Sequence, residues 1–338
     1  MIVRVLEKPG LEVAAGDGAL RDVEAGASTL ATLSAASKAA ILVEALPYIR
    51  RFWKKTVVVK YGGSAISGAV IGPAQAATSG TPGAVASAPG AASEALAHFA
   101  TDIVLMRAVG MRPLVVHGGG PQIGELMARL GKKPEFRDGY RVTDAETLDI
   151  ARMVLVGKVN REIVAAINVY GPLAVGVSGE DAGLIQATPR DPALGFVGDV
   201  SRVGPELVQR LLEEDLVPVV ATIGTDETGQ AYNINADSAA AAIAEAVGAE
   251  KLVFMTDVEG IRARREDRTS LVSSLCADDL EALVDNGVVA GGMVPKARAA
   301  LDAVRGGVPQ VHILDGREAH ALLLEIFTRS GVGTMVTL

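Results

Sequence analysis

Residues 56–63 read Thr-Val-Val-Val-Lys-Tyr-Gly-Gly, and residues 114–121 read Leu-Val-Val-His-Gly-Gly-Gly-Pro. Each is a short apolar run that ends in a glycine cluster, the pattern of a buried strand feeding a tight turn. Working outward, similar runs predict strands at 173–177, 217–222, 252–256 and 310–314. Helical spacing predicts helices near 94–109, after Pro121, over 144–168, 204–214, 236–247, 294–304 and 317–327. Helix and strand signals alternate, which argues for a largely parallel sheet with covering helices, an α/β fold.

The 338 residues allow one or two domains. Lysine and arginine total 32 against 40 aspartates and glutamates, a net charge of −8. That balance argues against a nucleic-acid or anionic-membrane surface. A single cysteine, Cys276, allows no internal disulfide, leaves a cysteine-based metal cluster unsupported and fits a reducing, cytoplasmic setting. With 49% apolar but 4% aromatic residues, the core must be filled mainly by Ala, Val, Leu and Ile. The longest uncharged stretch, 61–93, is studded with Gly, Pro, Ser and Thr and lacks the continuous apolar face of a membrane span. The N-terminal segment lacks a signal peptide's apolar core and a transit peptide's basic bias.

Residues 1–33 carry no sustained period and read as a poorly ordered extension. From 34 to 55, Leu42, Ala45, Leu46, Ile49, Phe52 and Trp53 fall at helical spacing, making an amphipathic helix that Pro47 should kink. Residues 68–92 read as a flexible insertion.

Ligands of open α/β sheets bind at the carboxyl edge of the strands, where Lys60 precedes Gly62 and Gly63. Gly118, Gly119 and Gly120 expose backbone N–H groups beside the positive end of a helix dipole. Together the two turns suggest a phosphate or carboxylate cradle, although a strand-ending lysine beside an ordinary turn reads the same way. Gly118, Gly120 and Gly124 are spaced one residue too long for a dinucleotide fingerprint, and Gly157-Lys158 is followed by Val159, so there is no Walker A sequence. Pro295 suits the first turn of a helix, which puts Lys296 where a cation is disfavoured by about 0.3–1 kcal/mol. Either an anion sits in front of Lys296 or its side chain extends into solvent. Asp237 could be the N-cap of the following helix, or it could join Asn233 and Asn235 in orienting a substrate and two lysines. Arg141 could grip a carboxylate through two bonds or lie on the surface.

Taken in order, KYGGS (60–64), HGGGPQI (117–123), GYRVTD (139–144), NINADSAA (233–240), FMTDVEGI (254–261) and GGMVPKA (291–297) resemble the amino acid kinase superfamily, most closely its members that phosphorylate N-acetylglutamate. The match runs from about residue 34 to the C terminus. It implies a three-layer αβα sandwich around a mainly parallel central sheet, with an amino-acid lobe over 56–247 and a nucleotide- and arginine-binding lobe over 248–338. The implied reaction is ATP-dependent phosphorylation of the side-chain carboxylate of N-acetyl-L-glutamate, a step toward arginine. Mg²⁺ would be carried on the nucleotide, with no metal site of the protein's own. By the same resemblance Lys60 contacts the transferring phosphoryl group, Lys296 faces the leaving ADP and Asp237 holds both lysines. Amides of Gly62, Gly63, Gly119 and Gly120 cradle the transferred group, while Arg141 and Asn233 bind the substrate's α-carboxylate and acetamido group.

The helix at 34–55 resembles that of arginine-inhibited members, in which such helices interlace dimers into a hexamer, a trimer of dimers. Tyr48, Lys251, His312 and Glu325 are the implied L-arginine site; for Tyr48 and His312 ordinary packing is the other reading. Binding of a PII nitrogen-signalling protein is left open. Ser64 stands where the family often has Asn, and the 68–92 insertion is long for a loop beside a phosphate site. Two rival readings are a kinase of another small carboxylate, such as glutamate, and an inactive arginine-sensing or partner-binding protein. GYRVTD speaks against the first, and the joint presence of Lys60, Asp237 and Lys296 against the second.

Overall fold

Along Thr56–Tyr61 every residue after the first is buried, and successive side chains enter different cores: Val57, Val59 and Tyr61 one, Val58 the other. A strand apolar on both faces needs helices on both faces, and the computed structural model of the chain has them. It describes residues 34–62, 91–264, 267–328 and 331–338. The extension 1–33, Gly63, Ser64 and the insertion up to residue 90 lie outside the described residues.

In chain order the helix α1 (Ala35–Phe52) and the strand β1 (Thr56–Tyr61) are followed by α2 (Ala91–Ala108), β2 (Arg112–His117), α3 (Gly120–Arg129), β3 (Phe136–Arg137) and β4 (Tyr140–Arg141). Next come α4 (Ala145–Arg152), a π-helical segment (Met153–Val159), α5 (Asn160–Asn168), β5 (Ala174–Ser178), β6 (Ile185–Pro189), β7 (Val197–Val203), α6 (Glu206–Glu213) and β8 (Val217–Ala221). The rest is β9 (Ile223–Thr225), β10 (Ala231–Ile234), α7 (Ala236–Ala246), β11 (Lys251–Thr256), β12 (Ser274–Cys276), α8 (Ala277–Asp285), α9 (Met293–Arg305), β13 (Val311–Asp315), α10 (Ala321–Phe327) and β14 (Thr334–Thr337).

The main sheet has the order β12-β14-β13-β11-β1-β2-β8-β5. It is parallel from β13 to β5, and β14 runs antiparallel to β13. One face is covered by α2, α3, the α4–α5 run and α10, the other by α6, α7, α8 and α9, giving three layers. Helices α7 and α9 pack against each other, and Ala239, Ala240, Ala244, Ala297, Ala300 and Ala303 are all buried in the same core. Small side chains there do what the aromatic-poor composition requires. A second sheet, β10-β7-β6-β9, closes into a small barrel, and β3 and β4 form a hairpin. No helix among the described residues is long and apolar enough to cross a membrane.

Residues 45–338 form one compact unit; the other, 1–44, is described only from residue 34 on. Pro47 lies inside α1, which stops at Phe52 rather than residue 55 because Lys54 takes a left-handed φ of 59°. Of the apolar face read from the sequence, Phe52 is buried whereas Leu46 and Trp53 are about half exposed, at 49% and 53%. The helix anticipated over 317–327 begins only at Ala321, behind left-handed His320 (φ 57°). The run 145–168 is unbroken but widens into its π-helical turn, whose Leu155 presses on Gly119; a Cβ at Gly119 would lie 2.7 Å from Leu155 Cδ2.

Candidate active site at the carboxyl edge of the sheet

Strands β11, β1 and β2 are parallel neighbours, so their carboxyl ends open on one edge. Lys60 pairs in register with Phe254 on one side and Val116 on the other, and Tyr61 with His117. Beyond β1 lies Gly62, which is buried, and beyond β2 lie Gly118, Gly119 and the start of α3 at Gly120.

Opposite this edge α7 begins. Its N-cap is Asn235, whose side chain accepts from the N–H groups of Asp237 at 2.9 Å and Ser238 at 3.1 Å. Capping by Asn235 frees the Asp237 carboxylate from that task. Asp237 Oδ1 lies 2.7 Å from Lys60 Nζ, and Oδ2 accepts from Lys296 Nζ at 2.8 Å. The side chains are 8% exposed for Lys60 and Asp237 and 18% for Lys296. Lys296 therefore does not extend into solvent, and the anion in front of it is Asp237. Burial pushes the Asp237 carboxyl up, but the charges of Lys60 and Lys296 outweigh burial and hold it at about 2. Burial draws the Lys60 ammonium down against the pull of Asp237, and the charge of Lys296 adds to the lowering. A carboxylate held so low is no general base at neutral pH.

A cavity of about 230 Å³ brings Lys60, Gly119, Gly120, Arg141, Asn233 and Asp237 together. Arg141, on β4, lies over the Phe136 ring at 4.7 Å and donates to the Gly120 carbonyl at 2.8 Å, which fixes its planar head. Asn233 donates to Thr143 Oγ1 at 3.4 Å. Asp237 is the one carboxylate among the described residues lining this cavity, and both its oxygens face lysines. Backbone amides at the start of α3, the two ammonium groups on Asp237 and a guanidinium suit an anionic ligand whose charge shifts during reaction.

A second cavity, about 500 Å³, opens past the end of β11 and is lined by Val258, Ile261, Val289 and Met293 with Arg262 and Arg317. Sequence reasoning assigned no residue here, although FMTDVEGI runs through its wall. Met293 and Lys296, three apart in the first turn of α9, link this cavity to Asp237.

Tyr48, Lys251, His312 and Glu325 line a third cavity of about 400 Å³, together with Arg51. Lys251 opens β11 and His312 is the second residue of β13, so this cavity lies at the amino edge of the sheet, away from Lys60. His312 Nδ1 is 2.6 Å from Glu325 Oε1, and Glu325 Oε2 accepts from Val332 N–H at 2.9 Å. Burial, opposed by Glu325 and reinforced by Arg51, brings Lys251 down to about 8.

Residues 55–315 match the amino acid kinase family, and the chain belongs to that family. It is 49% identical to a protein of Pelotomaculum thermopropionicum named acetylglutamate kinase, over 88% of this chain and 97% of that one. A protein of the same name from Saccharopolyspora erythraea is 50% identical over 90% and 94%. Among solved structures, N-acetylglutamate synthase from Neisseria gonorrhoeae with coenzyme A and N-acetyl-glutamate aligns at a TM-score of 0.72 and 27% identity, over 89% of this chain. The chain spans 63% of the length of that synthase, which is also known in complex with coenzyme A and L-arginine.

Proposed function

We propose that the chain is an acetylglutamate kinase, transferring the γ-phosphoryl group of ATP to the side-chain carboxylate of N-acetyl-L-glutamate on the route to arginine. The observation that carries this reading is the 49–50% identity, over about nine-tenths of the chain, to two proteins of that name. The geometry supports it. The substrate's side-chain carboxylate is ionised at neutral pH, so its oxygen can attack phosphorus without a general base, and a pinned Asp237 is compatible with that. The P–O bond to ADP breaks as the acyl–phosphate bond forms, and the protein's work is positioning and charge stabilisation.

In this reading Lys60 and the amides of Gly62, Gly63, Gly119 and Gly120 face the transferring group, and Lys296 faces the leaving ADP. Asp237 holds the two lysines apart at fixed positions. Arg141 binds the α-carboxylate and Asn233 the acetamido group. The second cavity, whose Val258, Ile261, Val289 and Met293 offer apolar surface, takes the nucleotide base, with the substrate lobe over 56–247 and the nucleotide lobe over 248–338. Mg²⁺ arrives on the nucleotide, because Asp237, with both oxygens on lysines, fits a metal poorly; the ion neutralises phosphate charge when bound.

The third cavity we read as an L-arginine site that inhibits the enzyme. It offers Glu325 for a guanidinium and Lys251 for a carboxylate, and the arginine complex of the N-acetylglutamate synthase supports the choice. Helix α1 would join dimers into a hexamer in the cytoplasm, where a PII protein is a further candidate partner. ADP release measured with N-acetylglutamate, glutamate and aspartate tests the reading: only the first should support turnover, and equal turnover of glutamate would overturn it.

A further inference from the structure

Behind the glycine cradle runs a chain of polar groups, buried at His117 and Asn160, that the transfer described above does not use. His117, the last residue of β2, is fully buried. Its Nδ1 lies 3.0 Å from the carbonyl oxygen of Gly118, and its Nε2 3.1 Å from Nδ2 of Asn160, the first residue of α5. A carbonyl only accepts, so Nδ1 carries the proton. Burial outweighs the Gly118 bond and, with Arg161's charge, brings the ring's pKa down to about 4, so at neutral pH Nε2 keeps a lone pair and accepts from Asn160. The other Asn160 N–H donates to Val219 O at 2.8 Å, and Asn160 Oδ1 accepts from Arg161. Donation therefore runs one way, from Arg161 to Asn160 to His117 to Gly118.

We propose that His117, held in one tautomer by Asn160, is a positioning residue for phosphoryl transfer, fixing the Gly118–Gly119 peptide so that the Gly119 N–H is turned into the cavity. The inference rests on the kinase reading given above. Gly118 C=O and Gly119 N–H belong to one planar trans peptide and point in opposite directions. With the oxygen turned to a buried ring, the N–H is turned to the other side, toward the cavity that both glycines line. A peptide between two glycines has little conformational preference of its own, so its orientation must come from outside. Leu155 of the π-helical turn presses on Gly119 and Arg141 holds the Gly120 carbonyl, so each peptide of the turn has its own restraint. A donor aimed in advance at developing charge is worth far more than one that must reorient during the reaction.

Two substitutions separate this role from packing. His117→Asn places an amide N–H near the position of Nδ1, whereas His117→Gln places its amide near Nε2 and leaves the Gly118 carbonyl without a donor. His117→Asn should keep kcat within about 5-fold of the parent, and His117→Gln should lower it about 100-fold, the usual effect of losing or misplacing one such donor. The KM values for N-acetylglutamate and ATP should stay within a factor of about three in both, as for an interaction made mainly in the transition state. Equal losses in the two variants, or a loss confined to KM, would overturn the proposal. A readout independent of activity uses [¹⁵N]histidine-labelled parent protein, whose four histidines are assigned by single substitution. The His117 ring should show a protonated Nδ1 and a bare Nε2, unchanged between about pH 5.5 and 8; an Nε2–H ring there would contradict the inference even if neither variant folds. A parent protein that releases no ADP with N-acetylglutamate would remove the kinase reading and this inference with it. An active parent whose His117→Gln variant keeps its kcat would remove this inference alone.

Discussion

Asp237 has two ammonium groups within 2.8 Å, and all three side chains are largely out of solvent. Such a trio is costly to desolvate and gives little net stability, while removing one member leaves buried charge uncompensated, at about 3–5 kcal/mol. Its value lies in fixed positive charge. Lys60→Ala and Lys296→Ala should each lower kcat by about 100-fold or more while changing the KM for N-acetylglutamate little, because charge stabilisation is felt mainly in the transition state; steady-state kinetics on both variants, with near-normal kcat in either, would remove that lysine from its role. Acid stability is a second handle. Against the upward push of burial, the charges of Lys60 and Lys296 hold the folded Asp237 carboxyl at about 2, below the ordinary aspartate value near 3.8, so the folded state binds fewer protons, and this stabilisation is present above about pH 4 and lost as pH falls toward 2. Denaturant titrations between pH 6 and 3 should therefore fall less steeply for Asp237→Asn than for the parent, and parallel curves would show that the carboxylate is not held low. At this scale the sequence was readable in part. In Asn-Ile-Asn-Ala-Asp the sequence offers Asp237 as the cap, and the geometry assigns the cap to Asn235 instead. His117 could not be singled out, because its partner Asn160 is 43 residues away along the chain.

Among elements, strands β1, β2, β8, β11 and β13 were legible because burial on both faces makes them continuous apolar runs. The barrel strands were not. β7 reads Val-Gly-Asp-Val-Ser-Arg-Val, with polar residues on its open side, and β9 has three residues, too few for a period to register. The hairpin β3–β4, which presents Arg141, is two residues on each side and equally silent. Two predictions concern elements. Removing residues 68–90, which stops short of α2, should leave a soluble enzyme with kcat within about 3-fold of the parent, since a shorter loop closes at slightly lower entropic cost; loss of ATP-dependent activity in a soluble variant would make the insertion part of the site. Phe52 is a core side chain, so the helix is better tested by removing residues 1–44 and, separately, by Tyr48→Ala. If α1 joins dimers as proposed, the first should sediment as dimers where the parent sediments as hexamers, with activity retained. The second should raise the arginine concentration for half-inhibition about 10-fold, and unchanged inhibition would take Tyr48 out of that cavity's function.

Over the whole molecule, an acidic chain of net charge −8 concentrates Lys60, Lys296 and Arg141 around one cavity at the carboxyl edge of its sheet, and sets a second charged cavity at the amino edge. Strands β11 and β13 carry residues of the amino-edge cavity at their starts and run toward the catalytic edge, so a ligand there could act only by binding two arrangements of these elements unequally. The order of six short motifs made the family and the three-layer sheet legible. The second cavity stayed unassigned because its walls come from three separated stretches, 257–262, 288–293 and Arg317. A kinase of the proposed kind forms an acyl phosphate on N-acetylglutamate, and hydroxylamine traps such a product as a hydroxamate. With ATP, Mg²⁺ and N-acetyl-L-glutamate, hydroxamate should form in step with ADP, should be absent with glutamate or aspartate, and should be lost in Lys60→Ala. ADP released without hydroxamate, or hydroxamate formed equally well from glutamate, would contradict the assignment.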